Sequence, residues 1–310
     1  MKKITLQTGI TLIALLIVLA LFSLLPTQKL ENKQPHIEQY KKANPYPQTH
    51  GRKTVGLALG SGGARGLAHI GVIKALEKHH IPIDYIAGAS SGALVGGLYA
   101  ATRNSDYLES VATATNWREL LSLIDLRFRT GLIEGEKLTL FIESHIGDTA
   151  FSELAIPLTV IATNLHTGES VRLHEGKVSD AIRASVSLPF IFKPIERNSV
   201  LLLDGGLTEP VPVAAVRAMG ADVVIAVNLD AQNVLNGLDE ANPSAFTTTV
   251  RALDILRYQL AQENVTEADI VLIPETGDVL WHEFVDDGSI IEAGKKEVEK
   301  HIHEIRRQLQ

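Results

Sequence analysis

Short apolar runs alternate with segments of helical periodicity through most of the chain, and this alternation constrains the fold more than any other feature. The run TVGLAL, which starts at residue 54, is largely apolar, as expected of a strand buried on both faces. The segment that follows places Leu67, Ile70 and Ile73 on related faces of a helix. Buried strands separated by helices are typical of α/β proteins. We therefore predict three layers, with a mostly parallel central sheet and helices on both faces.

The same alternation continues to the end of the chain. Further strands are predicted at IDYIAG, PLTVIATN, SVLLLDGG, DVVIAVNLD and ADIVLIPE. Helices are predicted at SGALVGGLYAAT and over residues 178–185, 211–219, 246–263 and 289–309. Residues 231–245 are predicted to form a loop before the last helices.

Composition excludes several kinds of site. The formal net charge is −7 over 310 residues, and no dense basic stripe follows residue 53, so we expect no nucleic-acid partner. The chain has no cysteine, which excludes disulfides, thiolate metal sites and a cysteine nucleophile. No loop of the EF-hand type is present.

Two segments precede the globular part. Residues 1–26 contain an apolar stretch that matches a hydrocarbon core of about 30 Å, and their poor cleavage pattern favours an uncleaved transmembrane anchor over a signal peptide. Residues 27–52 are polar, contain three prolines and predict a flexible linker. Lys2 and Lys3 favour a cytoplasmic N-terminus and a globular domain on the opposite side, although lysines after the apolar stretch oppose this orientation.

A glycine turn, LALGSGGARG, joins the first strand to its helix. A dinucleotide fingerprint needs glycines at three spaced positions, and Ser61 takes the first of them, before Gly63 and Gly66. Asp84 follows roughly where an acidic residue would bind a ribose. However, amides at a helix N-terminus attract any anion, including one that exists only in a transition state. The turn alone leaves nucleotide binding, an oxyanion hole and a purely structural role open.

A second turn contains the sequence GASSG between a strand and a helix, which is the context of a nucleophile elbow. Gly88 and Gly92 place Ser90 at its tip, and their lack of side chains avoids clashes where the backbone folds back. Ser91 is predicted to begin the helix rather than to act as the nucleophile.

A serine hydroxyl needs a base. In the chain order of the α/β-hydrolases a histidine would come last, and this makes His282, His301 and His303 candidates, but no motif surrounds any of them. We interpret His69, on the first helix, as a packing residue.

Asp204 is the stronger candidate for the base. It ends the buried strand SVLLLD and precedes Gly205 and Gly206. Active sites of open α/β sheets lie at the carboxyl ends of the strands. An Asp-Gly turn is frequent for structural reasons, but it gains weight beside the two other motifs.

The stretches GGARG, GASSG and DGG, in that order, together resemble the patatin-like phospholipase family. Softer similarities surround them in AHIGVI, ATNLHTGE and IRASVSLPFIFKP, and the likeness covers about residues 54 to 230. The tail looks like the C-terminal extension of bacterial members. The chain departs from the family pattern at Ser61, where a third glycine is frequent.

The resemblance implies a patatin-like three-layer fold with a Ser-Asp dyad at the C-terminal strand edge. Ser90 would be the nucleophile and Asp204 the base, Gly62 and Gly63 would supply oxyanion-hole amides, and Arg65 would brace their loop. Gly88, Gly92, Gly205 and Gly206 would shape the elbow and the dyad turn. Residues 53–230 would form the catalytic domain and residues 231–310 a helical extension packed on it.

The expected activity is hydrolysis of phospholipids, lysophospholipids or related acyl esters through an acyl-enzyme, without a cofactor or a metal. The expected partners are the lipid substrate and a membrane surface, and the expected location is a bacterial inner membrane with the catalytic domain on the periplasmic side. Two alternatives remain open: a non-catalytic membrane-tethered scaffold with this fold, and a nucleotide-binding module that uses the glycine turn.

Overall fold

The computed structural model describes residues 51–115, 135–189, 191–231, 244–277, 279 and 288–310. All of these residues belong to one unit of the chain, residues 35–310. The predicted anchor, most of the predicted linker, most of the predicted loop at 231–245 and His282 lie outside the described residues.

The described strands form one eight-stranded mixed sheet. They are β1 (Val55–Leu59), β2 (Tyr85–Ala89), β3 (Leu158–Asn164), β4 (Ser170–Leu173), β5 (Ile195–Arg197), β6 (Val200–Asp204), β7 (Val223–Val227) and β8 (Ile270–Leu272). Strands β3, β2, β1, β7 and β8 are parallel neighbours in that order. Strands β4 and β6 run antiparallel to β3, and β5 runs antiparallel to β6.

The helices of the described residues are α1 (Leu67–Lys78), α2 (Ser91–Thr102), α3 (Ser105–Ala114), α4 (Glu136–Ile146), α5 (Val178–Ser185), α6 (Val213–Ala218), α7 (Ala245–Asn264) and α8 (Ser289–Leu309). Short 3-10 turns at Gly63–Gly66 and Gly205–Leu207 follow β1 and β6.

Apolar packing covers both faces of the sheet. Alternate residues of a strand point to opposite faces, and in β1 Leu57 and Leu59 belong to a core with α1, α2, α5 and α8. Ala58 belongs to a second core, which includes Val216 of α6 and Ala261 of α7. The predicted α/β fold with a central sheet flanked by helices is therefore confirmed.

The direction of β6 differs from a fully parallel arrangement. The turn between β5 and β6 consists of Asn198 and Ser199, whose φ angles of 51° and 63° are both positive, as in the tight hairpin turns that match the twist of paired strands. This hairpin makes β6 antiparallel to β5, and β6 also runs antiparallel to β3. Neither β4 nor β5 is among the predicted strands, since both are short and partly exposed and so lack a continuous apolar run.

The C-terminal helix α8 packs closely on α1 at two glycines. A Cβ atom at Gly71 would lie 1.8 Å from the carbonyl oxygen of Ile291, and one at Gly294 would lie 2.0 Å from that of Ala68. Real atoms do not approach so closely, so the two backbones meet where side chains are absent. Residues near the C-terminus are thus part of the core around α1.

The expected membrane localisation is contradicted. None of the helices in the described part of the chain combines the length and the apolar character that crossing a bilayer requires. The long helices α7 and α8 instead have charged residues along most of their length.

We predict that Gly71→Ala lowers the free energy of unfolding by about 1–3 kcal/mol, because the new methyl group forces α8 away from α1. Urea denaturation of the full chain measures this change. Lys296→Ala, on the exposed side of α8, is the matched control and should change stability by less than about 0.5 kcal/mol. Equal stability of Gly71→Ala and the parent protein would contradict the close packing.

Candidate functional site

Ser90 lies at the sharp turn between β2 and α2. Its φ and ψ angles of 54° and −119° fall in a region that side-chain-bearing residues rarely adopt, as expected at the tip of a nucleophile elbow. A Cβ atom at Gly88 would lie 2.5 Å from the carbonyl oxygen of Gly92, so the returning chain requires glycine there. The backbone N–H of Ser90 donates a hydrogen bond of 2.8 Å to Ser185 Oγ.

The register of β3 brings the ends of β2 and β6 together. Strand β4 occupies one edge of β3, so β2 and β6 share the other edge. Ala89 pairs with Ile161 and Asp204 pairs with Ala162, which are consecutive residues of β3. The carboxyl ends of β2 and β6 therefore meet, and Ser90 follows one of them directly.

This meeting joins the two side chains predicted to form the dyad. Ser90 Oγ donates a hydrogen bond of 2.7 Å to Asp204 Oδ2. The N–H of Gly206 donates to Asp204 Oδ1 at 2.8 Å, which orients the carboxyl group. The N–H of Asp204 donates to the carbonyl oxygen of Ser187 at 3.0 Å, and Thr163 Oγ1 donates to the carbonyl oxygen of Asp204 at 2.8 Å.

Burial sets the protonation of this carboxyl group. Asp204 is only 4% exposed, and loss of hydration raises its pKa from the ordinary value of 3.8 to about 6. The hydrogen bond from Ser90, the charge of Arg257 and the N–H of Gly206 act in the opposite direction but do not cancel burial. At neutral pH Asp204 is an ionised carboxylate that is a stronger base than an exposed aspartate.

The glycine turn packs against both of the other motifs. A Cβ atom at Gly66 would lie 2.4 Å from Ser91 Cβ, and one at Gly206 would lie 2.9 Å from Ser61 Cβ. A Cβ atom at Gly92 would lie 2.1 Å from the carbonyl oxygen of Leu59, which ends β1. The three motifs of the sequence therefore converge on one place.

Within this turn, Gly63 has a φ of +58°, a conformation that favours glycine. Arg65 is fully buried and donates to the carbonyl oxygen of Gly62 at 3.2 Å and to that of Leu229 at 2.5 Å. Its guanidinium group thus ties the turn to the segment after β7.

Several contributors to the site were not predicted from the sequence. Ser185 and Ser187 hold the backbones of Ser90 and Asp204, and both lie in the stretch IRASVSLPFIFKP, which was noted only as a similarity. His69 does more than pack, since its Nε2 donates to the carbonyl oxygen of Gly60 at 2.8 Å. Burial lowers the pKa of His69 to about 4, so it is neutral at pH 7.

The candidate histidine bases do not meet Ser90 in the described part of the chain. His301 lies on α8, where its Nδ1 donates to the carbonyl oxygen of Glu297 at 3.0 Å, and His303 lies exposed on the same helix. Both histidines thus lie on a helix that packs on α1. The carboxylate of Asp204 is the hydrogen-bond acceptor for the Ser90 hydroxyl.

Known proteins with similar sequences carry related names. An uncharacterized NTE family protein of Mycobacterium tuberculosis is 42% identical over 177 residues, which is 57% of this chain and 49% of that protein. The lysophospholipase NTE1 of Scheffersomyces stipitis is 33% identical over 243 residues, which cover 74% of this chain and 15% of that protein. The chain thus spans about half of the mycobacterial relative and a smaller part of the yeast one.

The fold is also similar to a solved structure. VipD from Legionella pneumophila superposes with a TM-score of 0.50 and 11% sequence identity, over 82% of this chain and 67% of VipD. The sequence model described as patatin-like phospholipase matches residues 57–217, a range that contains the glycine turn, the elbow and the Asp204 turn. Because this match covers more than half of the sequence, the chain belongs to the patatin-like phospholipase family.

Proposed function

We propose that this protein is a serine acyl hydrolase of lipid esters, in which Ser90 is the nucleophile and Asp204 the general base. The hydrogen bond of 2.7 Å between Ser90 Oγ and Asp204 Oδ2 is the observation that carries the proposal. A hydroxyl needs an adjacent base to become a nucleophile, and a buried carboxylate of raised pKa is suited to that role.

In the first half of the reaction, Ser90 Oγ attacks the ester carbonyl carbon while its proton passes to Asp204 Oδ2. The carbonyl oxygen becomes an oxyanion, which accepts hydrogen bonds from the backbone amides of Gly62 and Gly63. Arg65 braces that loop through the carbonyl oxygen of Gly62. The intermediate then collapses to an acyl-enzyme, and the leaving alkoxide takes the proton from Asp204.

In the second half, water attacks the acyl-enzyme carbonyl carbon and gives its proton to Asp204. The second tetrahedral intermediate expels the oxygen of Ser90, which regains the proton from Asp204. The products are a carboxylic acid and an alcohol, and the protein returns to its starting state. All steps use the same pair of side chains, so no other titratable group is required.

The family and the yeast relative support a lipid substrate. Lysophospholipids are the first substrates to test, because the similar yeast protein is named a lysophospholipase.

We also propose residues 53–230 as the catalytic domain and residues 231–310 as its extension, since β8 and α8 pack on elements of the earlier part.

A fluorophosphonate probe should label the full-length protein at Ser90, because the probe reacts with activated serines. We expect Ser90→Ala to abolish labelling and to lower kcat on lysophosphatidylcholine by at least about a thousandfold. Ser91→Ala is the matched control, since its hydroxyl makes no hydrogen bond to a described residue. If Ser91→Ala lost labelling and Ser90→Ala kept it, the nucleophile would be Ser91 and the proposed role of Ser90 would be wrong.

The pH profile tests the base. Asp204 must be ionised to accept a proton, so kcat/KM of the parent protein should fall about tenfold per pH unit below about pH 6. Asp204→Asn should lower kcat by about 10²–10⁴-fold at pH 7.5. Asp148→Asn, an exposed aspartate paired with Lys177, should keep the parent activity and profile. An acidic limb near pH 4 would contradict the proposed protonation.

The raised pKa of Asp204 also predicts a cost in stability. Below about pH 4 the carboxyl group is protonated in both the folded and the unfolded chain, and the shift has no effect. Above about pH 6 it is ionised in both states, and burial of the charge then lowers the free energy of unfolding by about 3 kcal/mol. Asp204→Asn should therefore stabilise the protein at pH 8 and not at pH 4. Urea denaturation at the two pH values decides, and equal stability changes at both would contradict this reading.

A further inference from the structure

A buried group of charges lies behind the glycine turn. Asp230 follows β7 and is 4% exposed. Its Oδ2 accepts a hydrogen bond of 2.7 Å from Ser61 Oγ, and its Oδ1 accepts from Arg65 at 3.4 Å. Asp230 thus contacts the glycine turn at two side chains, one of which is the serine that departs from the three-glycine pattern.

Arg257 of α7 binds the same carboxylate from the other side. Its guanidinium group donates to Asp230 Oδ1, and it is 7% exposed. Asp254, one helical turn earlier, lies 3.6 Å from the same guanidinium group. Burial raises the pKa of Asp230, but the charges of Arg257 and Arg65 outweigh burial and hold it below its usual value. The carboxylate is therefore ionised at every pH at which the site would work.

This arrangement holds the turn from a part of the chain outside the family match. Asp230 and Arg257 lie beyond residue 217, where the match ends. Ser61 and Arg65 lie on either side of Gly62 and Gly63, and both are bound by Asp230. The pair Asp230–Arg257 thus fixes both flanks of the two amides that the proposed mechanism uses.

Resting on the proposed function, we infer that Asp230 and Arg257 are positioning residues that hold the glycine turn of this hydrolase in the geometry required by the transition state. Oxyanion donors act only where their position is set beforehand, and loss of one donor costs about 10²–10³ in rate. Ser61 is the point of attachment that a third glycine would lack.

The same two residues act on Asp204 with opposite electrostatic signs. The positive charge of Arg257 lowers the pKa of Asp204, and the negative charge of Asp230 raises it. The charged or titratable groups around Asp230 are Arg65 and His69 on the side of the glycine turn and α1, and Asp254 and Arg257 on α7. His69 is neutral, so the balance depends on the two arginines and the two aspartates.

The test compares Arg257→Gln, Asp230→Asn and Ser61→Ala in the full-length protein with lysophosphatidylcholine in micelles. We expect kcat to fall at least about tenfold in the first two variants and about fivefold in Ser61→Ala, with KM within about twofold of the parent value. The acidic limb of kcat/KM should move to higher pH in Arg257→Gln and to lower pH in Asp230→Asn. A purely structural role would not move the two limbs in opposite directions.

Two further variants guard against misfolding, which circular dichroism and thermal melting detect. Combining Asp230→Asn with Arg257→Gln removes one charge of each sign, and it should lower kcat but leave the limb near the parent pH. Arg257→Lys should keep the limb of the parent and recover part of kcat. Arg307→Gln, which is exposed on α8, is the matched control and should match the parent in every measurement.

The outcomes separate the two proposals. Parent turnover that Ser90→Ala abolishes, together with unchanged kcat in the folded variants, overturns the positioning role alone. If the acidic limbs of kcat/KM in Arg257→Gln and Asp230→Asn move in the same direction, the positioning role is overturned as well. Absence of Ser90-dependent turnover in the parent protein overturns both the positioning role and the proposed function. Lowered kcat, steady KM and opposed limbs support the positioning role. If a single variant does not fold, lowered kcat with steady KM in the double variant and in Ser61→Ala supports the positioning role, and unchanged kcat in both overturns it.

Discussion

The site depends on two strands that end against each other along one edge of β3. Ala89 and Asp204 pair with consecutive residues of that strand, and Ser90 follows Ala89. The hydrogen bond between Ser90 and Asp204 joins residues 114 positions apart. Closing so long a loop costs conformational entropy. The pairing of β2 and β6 with β3 offsets this cost, so the hydrogen bond between Ser90 and Asp204 does not have to offset it. The side chains meet because the backbone register leaves them adjacent, so the geometry is already present before any substrate arrives.

Burial makes the Asp204 carboxylate a stronger base and lowers the stability of the folded chain. An exposed aspartate of ordinary pKa is a weak base for a hydroxyl, and burial raises the pKa of Asp204 to about 6. The Ser90 hydroxyl, the Gly206 amide and the charge of Arg257 each favour the ionised form and keep the shift moderate. A larger rise in the pKa of Asp204 would leave its carboxyl group protonated at neutral pH, and a smaller rise would make its carboxylate a weaker base. The strained backbone of Ser90 also lowers the stability of the folded chain, and the hydrogen bond from its N–H to Ser185 Oγ helps to hold this conformation.

Local sequence patterns were enough to predict much of this arrangement. The apolar runs predict the parallel strands, the helix over 178–185 matches α5, and GASSG predicts the turn at Ser90, because each depends on residues close together in the chain. The antiparallel course of β6 was not predictable in this way, since it depends on the pairing of β6 with β3, a strand that is distant in the chain. Asp204 was predicted because active sites of open α/β sheets lie at the carboxyl ends of the strands. However, Asp204 reaches Ser90 because β2, which is parallel to β3, and β6, which is antiparallel to β3, end next to each other. The supports from Ser185 and Asp230 involve distant partners that no local spacing encodes.

The charges behind the glycine turn are explained better by function than by stability. A buried ion pair contributes little net stability compared with well-packed apolar residues of similar size, because removing both charges from water is costly. An apolar pair in place of Asp230 and Arg257 would leave Ser61 Oγ without its acceptor and Arg65 without its counter-charge. It would also remove a positive charge that acts on Asp204. Residues of the C-terminal part therefore contact the glycine turn and at the same time influence the protonation of Asp204, and apolar packing could not supply both.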